Sequence, residues 1–285
     1  MYKFFLNFIP PICVLILTVW SYYTYIILFC IYFLENVTKK SVYIAVYHIL
    51  LIMFLWAFIQ TMFEQHDPIS DEYKLSQDEH DKLMTYNDED FNLILKKLIS
   101  LRKLEVFTCS ENGKIRYCKE CQLIKPDRTH HCSTCKRCIL KMDHHCPWVG
   151  NCVGFCNYKQ FILTLMYSTI WCMFYVGSMA EYVVELWNDI HLETDKLQMG
   201  IGFLTATCAV MLVMVLFMYH VGLTCRNETT LEALRDVTFR GDNMTFDLGK
   251  WHNFAQVFGE NVCWWLIPIR TACGNGNEFS VTNLV

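Results

Sequence analysis

Residues 118–161 read CKECQLIKPDRTHHCSTCKRCILKMDHHCPWVGNCVGFCNYKQF, and this stretch decides how the rest of the chain is read. A Cys-x2-Cys spacing recurs at Cys118/Cys121, Cys132/Cys135 and Cys135/Cys138. One tight turn with that spacing presents two thiolates to a single tetrahedral Zn2+. The pool of ligand-type side chains is Cys118, Cys121, His130, His131, Cys132, Cys135, Cys138, His144, His145, Cys146, Cys152 and Cys156. Two tetrahedral ions take about eight ligands, so this pool leaves a surplus for other chemistry. Cys146 is the strongest surplus candidate because it follows Asp143-His144-His145 directly. A histidine oriented by a carboxylate is the usual means of turning a thiol into a thiolate, since a free thiol with a pKa of about 8.5 is only a few per cent ionised near neutrality.

Composition places this cluster in a membrane protein. Of the 285 residues 54% are hydrophobic and only 18% charged, a balance outside the range of ordinary soluble domains. Sixteen cysteines could suggest a secreted disulfide scaffold, yet half of them lie within 118–156 at metal spacing, and others sit in apolar runs. A reducing cytosolic face fits that distribution. The net charge of -4 argues against nucleic-acid binding, the other common use of Cys/His clusters.

Four apolar runs define the organisation. The first, 9–34, is long enough to cross a bilayer. Pro10-Pro11 and the lack of a small-residue cleavage site argue against a cleavable signal peptide. Glu35 to Ser41 reads as a polar turn holding the sequon Asn36-Val37-Thr38, expected to be unmodified so close to the membrane, and 42–63 is the second run. The expected domains are thus an N-terminal transmembrane hairpin (1–63), a cytosolic helical linker (64–117), the cysteine-rich zinc domain (118–160), a C-terminal transmembrane hairpin (161–223, spans 161–184 and 199–223) and a cytosolic tail (224–285). In the linker, Ser76-x-x-Glu79 is a capping-box pattern. Phe91, Leu93, Leu95, Leu98, Leu101 and Leu104 recur at roughly helical spacing for packing, with Asp88-Glu89-Asp90 as a solvated acidic face. The two far-side turns hold only Lys39, Lys40 and Lys196 of 24 Lys and Arg, which places the long loop and both termini in the cytosol. Few ionisable side chains beyond His48 and His220 lie within the runs, so transport is a weak reading.

The pattern Cys118-x2-Cys121, Lys125-Pro126-x-Arg128-x-His130-His131-Cys132-x2-Cys135-x2-Cys138, Asp143-His144-His145-Cys146, Cys152, Asn157 and Phe161 resembles, position for position, the cysteine-rich domain of the DHHC protein S-acyltransferases, or palmitoyltransferases. Thr229-Thr230-Leu231-Glu232 is similar to that family's T-T-x-E motif, and Asn253 sits where its C-terminal asparagine motif would. With the membrane layout, the resemblance covers nearly the whole chain. It implies an α-helical integral membrane protein of four transmembrane helices, with a cytosolic two-zinc module between spans 2 and 3. It also implies a ligand pairing that spacing alone leaves open: Cys118, Cys121, His131 and Cys138 for one structural Zn2+, and Cys132, Cys135, His145 and Cys152 for the other.

The activity implied is transfer of a long-chain acyl group from acyl-CoA to cysteines of membrane-associated proteins, through an acyl-Cys146 intermediate. His144 is then the general base and Asp143 the group that orients it. Thr230 is implied to hold Asp143, with Glu232 and Asn253 fixing the tail; a plain helix cap is the alternative for the threonines. Lys125, Arg128 and His130 are candidates for the CoA phosphates, Lys136, Arg137, Lys141 and Lys159 weaker ones, and a solvated surface charge is the alternative for each. Ser21 and Trp171 lie about ten to twelve residues from the cytosolic ends of their spans, near mid-membrane. They are candidates for shaping the acyl cavity, against ordinary helix packing. Expected partners are membrane lipids, acyl-CoA and cytosolic-facing proteins with juxtamembrane cysteines, in Golgi, endosomal or plasma membrane. The competing reading is a non-enzymatic zinc-binding scaffold, which has no need for an Asp-His pair beside an unligated thiol.

Overall fold

The computed structural model describes residues 7–183 and 194–283. In chain order, α1 (Ile9–Tyr22) continues as a π-helical segment, Tyr23–Phe33, and α2 is Val37–Phe63. Two helices follow, α3 (Gln77–Met84) and α4 (Asp88–Arg102). Then come seven short strands: β1 (Thr108–Cys109), β2 (Tyr117–Cys118), β3 (Leu123–Ile124), β4 (His130–Cys132), β5 (Arg137–Ile139), β6 (His144–Cys146) and β7 (Asn151–Val153). The chain ends with α5 (Tyr158–Met179), α6 (Thr194–Arg226), α7 (Thr230–Leu234), β8 (Thr238–Phe239), β9 (Met244–Thr245), α8 (Lys250–Phe258) and β10 (Thr282–Asn283). These elements form two compact units, one of Met1–Phe63, Pro147–Gly150 and Gln160–Val221, the other of Glu64–Cys146, Asn151–Lys159 and Gly222–Val285.

The first unit carries the membrane spans. Four helical stretches, Ile9–Phe33, Val37–Phe63, Tyr158–Tyr182 and Thr194–Arg226, are apolar and 25, 27, 25 and 33 residues long. Each exceeds the roughly 20 residues that a hydrocarbon core of about 30 Å requires. Three boundaries differ from the sequence reading. The turn expected at Glu35 to Ser41 shrinks to Leu34–Asn36, because Asn36 Oδ1 accepts the Lys39 amide at 2.9 Å and starts α2 early. The third and fourth spans likewise begin before 161 and 199, at Tyr158 and Thr194. Most of the connection expected at Glu185 to Gln198, and the end of the third span at Val184, lie outside the described residues.

Polar and aromatic contacts hold α1, α2 and α5 together where water-driven association is absent. Tyr25 stacks on Tyr47 at 4.6 Å and bonds Ser178 Oγ at 2.6 Å, while Thr24 meets Tyr175 at 3.0 Å and Thr61 meets Thr164 at 3.2 Å. Gly202 on α6 has the Tyr175 hydroxyl and Thr24 where a Cβ would stand, so only glycine permits that approach. Lys39 pairs with Glu181 at 2.6 Å.

The second unit holds the metal-ligand stretch on a small apolar core that includes Tyr73, Leu83, Leu95, Ile99, Ile124 and Leu140. The Ser76–Glu79 capping box forms and starts α3, and Asn87 caps α4 by accepting from Glu89 and Asp90. Asp88, Glu89 and Asp90 occupy the first turn of α4, the favourable end for negative charge. The helical phase is shifted from the one expected. Leu95 and Ile99 are buried and Phe91 and Leu98 pack beside them, whereas Leu93 and Leu101 face outward at 65% and 68% exposure. Antiparallel hairpins β2–β3, β4–β5 and β6–β7 follow, and the pairs β1–β8 and β9–β10 stitch in the tail.

This phase gives a direct expectation. Leu95→Ala should destabilise the second unit by about 2–5 kcal/mol, as buried leucine truncations do, and lower its thermal midpoint in detergent. Leu93→Ala should change it by less than about 0.5 kcal/mol. Equal effects would mean the α4 face is assigned wrongly.

Candidate active site

Short antiparallel hairpins build the site. In each of the first two, a cysteine pair is followed by a residue in the left-handed region, Gln122 (φ 52) after Cys121 and Lys136 (φ 55) after Cys135. That reversal folds the chain back to the next strand. Strand alternation then sorts the ligands, because successive side chains leave opposite faces. In β4, His131 turns one way and Cys132 the other. The cross-strand register brings His131 opposite Cys138, and in the β6–β7 hairpin His145 opposite Cys152.

Two four-residue clusters result, Cys118/Cys121/His131/Cys138 and Cys132/Cys135/His145/Cys152, the ligand atoms of each within 4.8 Å of one another. His131 Nδ1 lies 3.4, 3.4 and 3.8 Å from the sulfurs of Cys118, Cys121 and Cys138. His145 Nδ1 lies 3.7, 3.5 and 3.5 Å from those of Cys132, Cys135 and Cys152. A tetrahedral ion with Zn–S and Zn–N bonds of about 2.3 and 2.0 Å separates its S and N ligands by about 3.5 Å, so both clusters fit. Glu120 Oε2 stands 2.8 Å from His131 Nε2, a carboxylate behind the ligating ring. The pairing is the interleaved one that the resemblance implies.

Alternation in β6 also separates the nucleophile candidate from the metal. His145 turns into the second cluster, so His144 and Cys146 share the opposite face. Cys146 is buried and hydrogen-bonded to His144. His144 Nδ1 lies 2.6 Å from Asp143 Oδ2. An ionised carboxylate only accepts, so Nδ1 carries the proton and Nε2 is left for the thiol. Burial of the ring opposes its positive form, but the bonds to Asp143 and Cys146 outweigh it and raise the pKa to about 9.

Asp143 is fully buried and its carboxylate is well supplied. Thr230 donates its amide to Oδ1 and its hydroxyl to Oδ2, each at 2.8 Å. Thr229 is the N-cap of α7 and forms a capping box with Glu232, so the T-T-x-E segment is both a helix cap and a clamp on Asp143. Asn253 is buried in α8, accepts from the Leu248 amide and donates to Cys225 O and Asp247. It ties the tail to the end of α6.

The basic candidates divide. Lys125 lines a cleft of about 850 Å³ together with Arg116, Lys114, Lys119, His130 and Arg235. His130 is corrected as a cation: burial, reinforced by neighbouring Arg116, lowers its pKa to about 4 and leaves it neutral at pH 7. Arg128 lines the same cleft, but its side chain is 0% exposed and engaged by Glu232 at 2.7 Å, so its fork is committed within the protein. Lys141 and Lys159 are buried too; Lys141 bonds Asn227, and Lys159 bonds Trp264 O and Thr271. In the other unit, Ser21 and Trp171 both reach Tyr47, the first by a 3.2 Å hydrogen bond and the second edge-on at 5.5 Å.

Sequence reasoning missed Asn227 and Asp127. Asn227 Oδ1 accepts from Arg128 and Lys141, while its Nδ2 donates to Phe246 O and Gln256. Asp127 receives the Phe107 and Thr108 amides and the Thr108 hydroxyl. Neither stands out by spacing; the one available signal for Asn227 is its place two residues before Thr229.

Removing metal should dismantle the hairpins, since ligation supplies about 10–16 kcal/mol of apparent folding energy per site in small modules. Cys121→Ser is expected to lower metal content, measured by elemental mass spectrometry, by about one ion per chain, and to open the 118–160 region to protease. Unchanged metal content would remove Cys121 from the ligand set.

Comparison with known proteins agrees with this geometry. Residues 111–237 match the family model described as DHHC palmitoyltransferase. The chain is 42% identical over 279 residues to human palmitoyltransferase ZDHHC2, covering 96% of this chain and 75% of that protein. It is 39% identical to zebrafish (Danio rerio) palmitoyltransferase ZDHHC2 over 277 residues, covering 96% and 76%, and 39% identical to human palmitoyltransferase ZDHHC20 over 281 residues, again 96% and 76%. With two Cys/His clusters able to hold metal ions, four apolar spans and similarity along almost its whole length, the chain belongs to the DHHC palmitoyltransferase family.

Proposed function

We propose that this protein is a protein S-acyltransferase that moves a long-chain acyl group from acyl-CoA to cysteines of membrane-associated proteins in two steps. One observation carries the reading: the line Thr230–Asp143–His144–Cys146 ends on a thiol that neither metal cluster uses. In the first step the Cys146 thiolate attacks the thioester carbonyl, and the carbon–sulfur bond to CoA breaks. The departing CoA sulfur takes the proton held on His144. In the second step a substrate cysteine gives its proton to His144 and attacks the acyl-Cys146 carbonyl; the carbon–sulfur bond to Cys146 breaks, and Cys146 leaves as the thiolate beside protonated His144, ready for the next donor. Asp143 keeps the ring in one tautomer and stabilises its charged form throughout.

Zn2+ is the ion that three thiolates and one imidazole in a tetrahedral set suit best, and its contribution is structural. The basic cleft around Lys125, Arg116 and Arg235 supplies the charge that CoA phosphates need, set against Glu111 and Asp236 on the same walls. His130 offers a neutral hydrogen-bonding edge there. The acyl chain is assigned to the spans, since each buried methylene contributes about 0.8 kcal/mol. Ser21 and Trp171, joined through Tyr47, close that space, and Trp171 is held by stacking on Phe54 at 5.4 Å. The metal module and both termini face the cytosol, where thiols stay reduced and acyl-CoA is found. Substrates are then cysteines close to that membrane surface.

Two experiments test the reading. Purified protein given labelled palmitoyl-CoA should acquire a hydroxylamine-sensitive label that Cys146→Ser abolishes. No label on metal-loaded wild type would leave a scaffold. Trp171→Ala should shift acyl-CoA preference towards longer chains by several-fold, and an unchanged preference would return Trp171 to ordinary packing.

A further inference from the structure

Arg128 is connected to the reaction centre in two ways, through its backbone carbonyl and through its side chain. Its backbone is left-handed, φ 61, an uncommon state for a residue with a side chain. In that conformation its carbonyl accepts the Met142 amide at 3.0 Å, one residue before Asp143. Its side chain runs the other way. Nε and Nη2 grip the two oxygens of Glu232 at 2.9 and 2.7 Å, and Nη1 and Nη2 reach Asn227 Oδ1 and O at 3.0 and 2.6 Å. The guanidinium lies over the rings of Phe246 and Phe279, at 4.7 and 5.2 Å from their centroids.

Glu232 passes this grip on to the catalytic carboxylate. Its Oε2 also accepts the Thr229 amide at 2.9 Å. The next residue, Thr230, holds both oxygens of Asp143. One arginine thus fixes the chain entering Asp143 through its carbonyl and the helix that clamps Asp143 through its fork. A planar bidentate group sets orientation as well as distance, which a lysine ammonium cannot do.

We infer that Arg128 is a positioning residue for the transfer reaction, locking α7 so that Thr230 and Asp143 hold His144 in line with Cys146, and that it makes no contact with the acyl-CoA phosphates. The inference rests on the acyl-transfer reading above. Arg128→Lys keeps the charge and loses the fork. Misplacement of the Asp143–His144 pair by less than an ångström should lower the rate of acyl-Cys146 formation at saturating acyl-CoA by about 10- to 100-fold. The acyl-CoA concentration for half-maximal rate should stay within about twofold of wild type, because uniform binding is untouched. Lys125→Ala should do the reverse, raising that concentration with little change in the saturated rate.

The decisive measurement is a rapid-quench acylation series on full-length, metal-loaded protein, comparing wild type, Arg128→Lys, Thr230→Val and the double variant. Because both substitutions act on one path to Asp143, the double variant should be hardly slower than the worse single one. Multiplicative losses, or a raised half-saturating concentration with the saturated rate retained, would overturn the inference and return Arg128 to the phosphates. If Arg128→Lys purifies without its metals, Glu232→Gln is read by the same criteria, since it keeps the capping acceptor and loses the ion pair. Absence of label on wild type would refute acyl transfer itself, and the positioning role with it; label on wild type with additive variants would refute the positioning role alone.

Discussion

A strand can show only every second side chain to one face, and the chemistry of this protein depends on that restriction. Along β6 the side chains alternate His144, His145, Cys146, so a ligand on one face forces the residues on both sides of it to the other. The metal cluster therefore points the neighbouring imidazole and thiol at each other without consuming either. β4 does the same between the two clusters, sending His131 to one and Cys132 to the next. A register slip of one residue would put Cys146 among the ligands and His145 beside Asp143. Cross-strand ligand pairs, His131 with Cys138 and His145 with Cys152, prevent that slip.

The second constraint is electrostatic. Asp143 has no exposed surface, and a buried carboxylate is tolerated only where donors replace water. Thr230 supplies two and His144 a third. The Arg128–Glu232 pair is buried as well, and such pairs often do no more than break even on stability. Here each oxygen of Glu232 and each nitrogen of the arginine fork has a partner. The return is directional: α7 has one orientation.

How much of this the sequence disclosed differs from residue to residue. The ligand pool was plain because Cys-x2-Cys is a local pattern. The interleaved pairing was not, because strands of two or three residues are too short to show a period, and only resemblance supplied it. Span existence was legible and span ends were not, since polar turns such as Val37 to Ser41 join a helix once a cap like Asn36 satisfies them. Leu93 and Leu101 satisfied an approximate helical spacing that Leu95 and Ile99 satisfy better. Among the basic residues, sequence proximity could not separate half-buried Lys125 from fully buried Arg128, which line the same cleft. Burial is set by Phe246, Phe279 and Asn227, far along the chain.

Metal ligation and proton placement are consequently separate tasks here, assigned to separate residues. Hairpins this small have little apolar area and cannot fix a backbone alone. The two Cys/His clusters could hold ions whose ligation would supply what packing cannot, and His144 and Cys146 stand beside the residues of the second cluster. Ligation does not decide which ring nitrogen carries the proton. That decision belongs to Asp143, and the carboxylate is aimed by Thr230 from a helix some ninety residues downstream. A module stabilised by metal alone would hold its thiol in place yet leave the imidazole free to choose its tautomer. Arg128 joins the T-T-x-E helix to the hairpins, so that the carboxylate orienting His144 and the strand that carries His144 and Cys146 are held by one hydrogen-bonded network.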